Sequence, residues 1–84
     1  MVTRDFSGED VVKVLANTGN FWIDRTTGDH VILKWTPPPD HDTDERTVSV
    51  PLHDPIRIGT LRHIMEQAGG EDFDEFCAWI DRNR

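Results

Sequence analysis

Four histidines stand in this chain of 84 residues beside a single cysteine. Imidazole has an unperturbed pKa of about 6.5 and so can take and return protons near neutrality. His30 follows the turn signal Thr26-Thr27-Gly28-Asp29 and opens an apolar stretch that runs to Trp35. A base at that point would stand at the start of a strand, where a substrate backbone can approach. His53 closes the stretch Val50-Pro51-Leu52 and reads as a strand-end residue. His63 lies two residues after Leu61, off the apolar side of a helix, and His41 belongs to a loop. Cys77 shares helical spacing with Phe73, Phe76 and Ile80, the position of a core thiol rather than of a nucleophile. Asp40-His41-Asp42-Thr43-Asp44 opens like a calcium loop, but Glu45 takes the glycine position and Pro51 that of the bidentate glutamate. A solvated acidic tip is expected there instead. No Gly-x-Ser-x-Gly elbow, phosphate loop or dinucleotide fingerprint occurs, and neither a metal nor a cofactor is expected.

Nine Lys and Arg oppose sixteen Asp and Glu, for a net charge of −7. That sign ordinarily argues against a nucleic-acid partner. The acid is local, however. Asp40, Asp42, Asp44, Glu45 and Asp54 face only Arg46 in one stretch, whereas Arg57 and Arg62 outnumber Glu66 in the next. Aspartate dominates the acids and only Lys13 and Lys34 are lysines, a skew that resembles the acidic surfaces of salt-adapted organisms. The longest apolar runs, Phe21-Trp22-Ile23 and Val31-Ile32-Leu33, are far short of the roughly 20 residues of a membrane helix. Met1 is followed by no basic-then-apolar leader, and one cysteine can build no internal disulfide, so a soluble, cytoplasmic protein is expected.

The elements that must position these groups are legible from local signals. A single domain over residues 1–84 is expected, since a second core would leave each half too small to fold unaided. Ser7 with Asp10 forms a capping pair, Phe6 and Val11 are spaced as a staple, and a helix follows to about Asn17, with Gly19 at the left-handed position beyond it. Phe21 to Arg25 and His30 to Trp35 read as a hairpin, in which Trp22 shares a side with Asp24, opposite Phe21 and Ile23. Residues 36–46, with Pro37-Pro38-Pro39, form a solvated loop. Thr47 to Leu52 alternates as a third strand with Val48, Val50 and Leu52 inward, leaving Thr47, Ser49 and His53 on the side of His30. Leu61, Ile64, Met65 and Ala68 mark a helix stopped by Gly69-Gly70, and Asp72 with Glu75 caps a last short helix. The fold class is therefore α+β: helix, three-stranded antiparallel sheet, helix, short C-terminal helix, with the helices on one face and a polar, histidine-bearing face left open.

Several tags in this order resemble one family. Arg25-Thr26-Thr27-Gly28-Asp29-His30 is similar to the Arg-x-x-Gly-Ser-His segment of HicA-type toxins, with Asp29 where that family usually has Ser. Val50-Pro51-Leu52-His53 resembles their Val-Pro-x-His strand end, and Gly59-Thr60-Leu61-Arg62-His63-Ile64 with Gln67-Ala68-Gly69 resembles their second helix. The opening Ser7-Gly8-Glu9-Asp10-Val11-Val12-Lys13-Val14-Leu15 is similar to their first, so the resemblance covers a core of residues 7–76. It implies a double-stranded-RNA-binding-domain-like fold, α-β-β-β-α, and a small endoribonuclease that cleaves mRNA, uses a histidine at the position of His30 and is silenced by a HicB-type antitoxin.

Under that reading His30 is the catalytic base, and Arg25, Lys34, Arg57 and Arg62 are the candidate RNA phosphate contacts. Gly28, Asp29, Ser49 and His53 are candidate auxiliaries. Paired RNA would be met through phosphates and 2′-hydroxyls, with weak sequence preference. Asp29 and the net charge favour a rival from another class, a catalytically inactive module of the same fold that grips RNA or a protein. A purely structural protein docking its acidic loop and last helix on a basic partner is a third option.

Overall fold

The computed structural model describes residues 2–40 and 42–84, so the His41 part of the acidic-loop reading lies outside the described residues. The element order is α1 (Gly8–Asn17), β1 (Trp22–Thr27), β2 (His30–Trp35), β3 (Arg46–Pro51), α2 (Ile58–Ala68) and α3 (Phe73–Asn83). The three strands form one antiparallel sheet in the order β1-β2-β3. This is the α+β architecture with an open three-stranded sheet that the sequence predicts, but α3 is as long as α2 rather than short.

Local chemistry accounts for the helix ends. Ser7 Oγ accepts from the Asp10 amide while the Asp10 carboxylate accepts from the Ser7 amide, which completes the capping box. Asp72 caps α3 by accepting from the Glu75 amide. Gly69 ends α2 in the left-handed region, where a Cβ would also collide with the Arg46 guanidinium. After α1 the left-handed residue is Asn20, not Gly19. Gly19 is needed for closeness instead, since a Cβ there would lie 2.9 Å from the Leu15 carbonyl oxygen.

The core face of the sheet is Val31 and Leu33 of β2 with Val48 and Val50 of β3, all buried. Against it pack Val11, Val14 and Leu15 of α1, Leu61, Ile64 and Met65 of α2, and Phe73, Phe76, Cys77 and Ile80 of α3. Burial pushes the Cys77 thiol pKa up, as befits a core residue. Leu52 departs from its expected inward place and is 41% exposed, because β3 ends at Pro51 and the alternation ends with it.

Register decides the open face. Directly opposed residues share a face, and His30↔Pro51, Ile32↔Ser49 and Lys34↔Thr47 are opposed across β2 and β3. On the other side, Thr27↔His30 and Arg25↔Ile32 are opposed, with a bulge between Ile23 and Arg25 that leaves Asp24 unpaired. The bulge corrects the expected alternation of β1: Trp22, opposite Lys34, shares its face with Arg25 rather than with Asp24. Ile23 does lie opposite Leu33 on the core side, yet it is 52% exposed. β1 is an edge strand whose residues are all exposed, so its inner side adds little to the core.

Candidate functional site

The β1–β2 turn is two residues long, Gly28 and Asp29, between the paired Thr27 and His30. Gly28 has φ +60, which glycine adopts without a Cβ penalty, and this tight reversal carries Asp29 and His30 at its tip. The backbone then fastens the end of β3 to that tip. The Leu52 amide donates to the Asp29 carbonyl at 2.7 Å, and the Gly8 amide at the start of α1 donates to the His53 carbonyl at 2.8 Å. Only glycine fits at position 8, because a Cβ would stand 2.1 Å from the Pro51 carbonyl oxygen. His53 is thus held between the hairpin tip and the start of α1.

The side chains converge accordingly. Asp29 Oδ1 lies 2.9 Å from His30 Nδ1, and Asp29 Oδ2 lies 3.1 Å from His53 Nε2. One carboxylate therefore joins two imidazoles, all three exposed. The His53 hydrogen bond is the largest cause holding the Asp29 carboxyl below its usual pKa; desolvation opposes it, and Asp29's own amide and the bond and charge of His30 add to it. An ionised carboxylate can only accept hydrogen bonds, so His30 Nδ1 and His53 Nε2 both carry the hydrogen. His30 Nε2 and His53 Nδ1 are left for a substrate.

His30 and His53 line an open cleft of ≈ 540 Å³ with Ser49, Pro51, Arg57, Thr60, His63 and Gln67, and Asp29 joins the two rings at its edge. Its far wall is the stripe of α2 that bears Thr60, His63 and Gln67, with Arg57 at the same spacing just before the helix. Gln67 fixes the wall to the sheet by accepting the Ser49 amide at 3.1 Å, which satisfies an outward N–H of edge strand β3. The cleft therefore lies between the open face of the sheet and α2, not on the sheet alone. Arg57 is the residue before α2, and among the described residues no side chain caps that helix. Its first amides and its positive end are favourable to an anion.

Of the residues singled out in the sequence, His30, Ser49, His53 and Arg57 line the cleft, and the Gly28-Asp29 turn stands at its edge. Arg25 is on the same face of the sheet but engages Asp24. Lys34 lies 3.6 Å from Glu45 at the other end of β2. Arg62 points elsewhere, with its guanidinium 4.3 Å from the centre of the Phe73 ring. The sequence reading left His63, Thr60 and Gln67 out of the site; their common spacing with Arg57 was the signal available. Among the described residues no group of three or more His, Cys, Asp or Glu is arranged to hold a metal ion, and no helix is long and apolar enough to cross a membrane.

The family model described as HicA toxin of bacterial toxin-antitoxin matches residues 8–69, from the start of α1 to the glycine that ends α2. No curated protein and no solved structure matches the chain.

Proposed function

The chain belongs to the HicA toxin family of toxin-antitoxin systems, and from that premise we propose that it is a metal-independent endoribonuclease acting on mRNA in the cytoplasm, with His30 as general base. The observation that carries this reading is the pairing of His30 Nδ1 with Asp29 at a cleft whose opposite wall holds Arg57 and His63. The contact turns His30 Nε2 toward use as a proton acceptor for the ribose 2′-hydroxyl. Arg57 and the adjacent helix start supply positive potential for the phosphate, which a lone base needs, since general base catalysis contributes only about 10²–10⁴-fold. The partner that silences it is an antitoxin of the HicB type, covering this cleft.

Expression of the parent and of His30→Ala in a heterologous host tests the reading. The parent should arrest growth and degrade RNA, and the variant should do neither while keeping the fold. Parent-like RNA cleavage by His30→Ala would refute the assignment of the base.

A second reading has its own support in the Asp29 carboxylate at the cleft edge and in the net charge of −7: a binding module of this fold without nuclease activity. Such a module would bind without cutting. If it gripped RNA, affinity would fall with salt in proportion to the phosphates contacted.

A further inference from the structure

Two imidazoles on one carboxylate are more than a single base requires. Resting on the nuclease reading above, we infer that His53 is the proton donor to the departing 5′-oxygen, and that Asp29 is the positioning residue that holds His30 in the tautomer a base needs and orients the His53 ring with Nδ1 free to donate. His30 gives its Nδ1 hydrogen to Oδ1 and presents Nε2; His53 gives its Nε2 hydrogen to Oδ2 and presents Nδ1. The two rings thus offer opposite nitrogens from the same anchor, and the main-chain bonds at Leu52 and Gly8 keep the second ring beside the hairpin tip.

The step balances without a co-reactant. His30 Nε2 takes the proton of the 2′-hydroxyl, and the 2′-oxygen forms a bond to phosphorus. The bond from phosphorus to the 5′-oxygen breaks, its electron pair stays on that oxygen, and the oxygen takes the proton from Nδ1 of cationic His53. A 2′,3′-cyclic phosphate and a 5′-hydroxyl result. One proton enters at His30 and one leaves at His53, and exchange with water restores both rings. Asp29 keeps both its hydrogen bonds throughout.

This cleavage requires His30 neutral and His53 protonated, so the rate should be bell-shaped in pH. The groups that face His53 are Asp29 and His30 from the hairpin, Glu9 from α1, the neighbouring Asp54, and Arg57 and His63 from the α2 side. Of these groups only His30 is asked to exchange a proton with substrate.

The test compares two substrates with the full chain: an RNA oligonucleotide, and a ribonucleoside 3′-(p-nitrophenyl phosphate), whose leaving group departs without protonation. His53→Ala should slow the oligonucleotide by about 10²-fold or more but the activated ester by less than about 10-fold, because only the first needs an acid. His30→Ala should slow both. His53→Gln, whose amide N–H can still donate to Asp29, should repeat the loss of His53→Ala and remove the alkaline limb of the pH profile. Equal losses on both substrates, or no loss on the oligonucleotide, would overturn the donor role while leaving the base in place. Oligonucleotide cleavage at the parent rate by His30→Ala would instead bring down the nuclease reading, and this inference with it. Thermal melts of each variant establish that it is folded.

Discussion

Asp29 and His53 stand 24 positions apart in the chain, yet the carboxylate of one lies 3.1 Å from the ring nitrogen of the other. Nothing local brings them together. The meeting depends on the two-residue turn after Thr27, on the register that sets His30 opposite Pro51, and on α1 docking its first amide on the His53 carbonyl.

The electrostatic consequence is directly measurable. Because its folded pKa is lowered chiefly by the His53 bond, Asp29 favours the folded state at pH values above the ordinary carboxylate range, and that contribution is lost as pH falls through the lowered folded value. Carboxyl NMR titration should find Asp29 below its ordinary value in the parent and moved upward in His53→Ala, more than in His30→Ala. An unmoved Asp29 would mean that the bridge does not form in solution.

The arginines should separate by function. Arg57→Ala should weaken binding of a non-cleavable RNA and lower the slope of log affinity against log salt by about one, as expected for one phosphate contact. Arg62→Ala should leave that slope unchanged and act on stability instead, since Arg62 covers the Phe73 ring. Filter binding across a salt series, with urea melts of both variants, reads the difference.

Gly8→Ala should destabilise the fold by about 1–3 kcal/mol, the usual cost of forcing a methyl into filled space, because the new Cβ would meet the Pro51 carbonyl and the Leu52 backbone. The same displacement shifts His53, so residual activity of the folded fraction should also drop. Urea denaturation and specific activity corrected for folded protein test the two parts.

Ser7→Ala removes the acceptor for the Asp10 amide and should cost about 0.5–2 kcal/mol, with no change in the pH profile of cleavage. Denaturation midpoint and pH profile together distinguish this purely structural loss from that of the cleft variants.

Much of the architecture was legible before the tertiary structure. Ser7 with Asp10, the Gly28-Asp29 reversal, the alternation of Val31 and Leu33, the Asp72 cap and the buried side of α3 all rest on relations between residues two to four apart. Such relations are set by helix and strand periodicity and by short side-chain bonds, so sequence alone expresses them. His30 was legible for the same reason, as the residue that follows a turn and begins a strand.

Other features were decided by packing across the chain. The bulge at Asp24 turned Arg25 onto the face of His30, the end of pairing at Pro51 released Leu52 to solvent, and Gln67 drew α2 against the edge of β3. His53 became a partner of Asp29, and His63 became part of a wall, only once those elements had docked. Strand register and helix docking follow from burying all apolar faces at once and from satisfying every outward amide. These are global conditions, which is why the sequence by itself determined the elements and the place of His30, and the tertiary structure alone decided which side chains stand beside it.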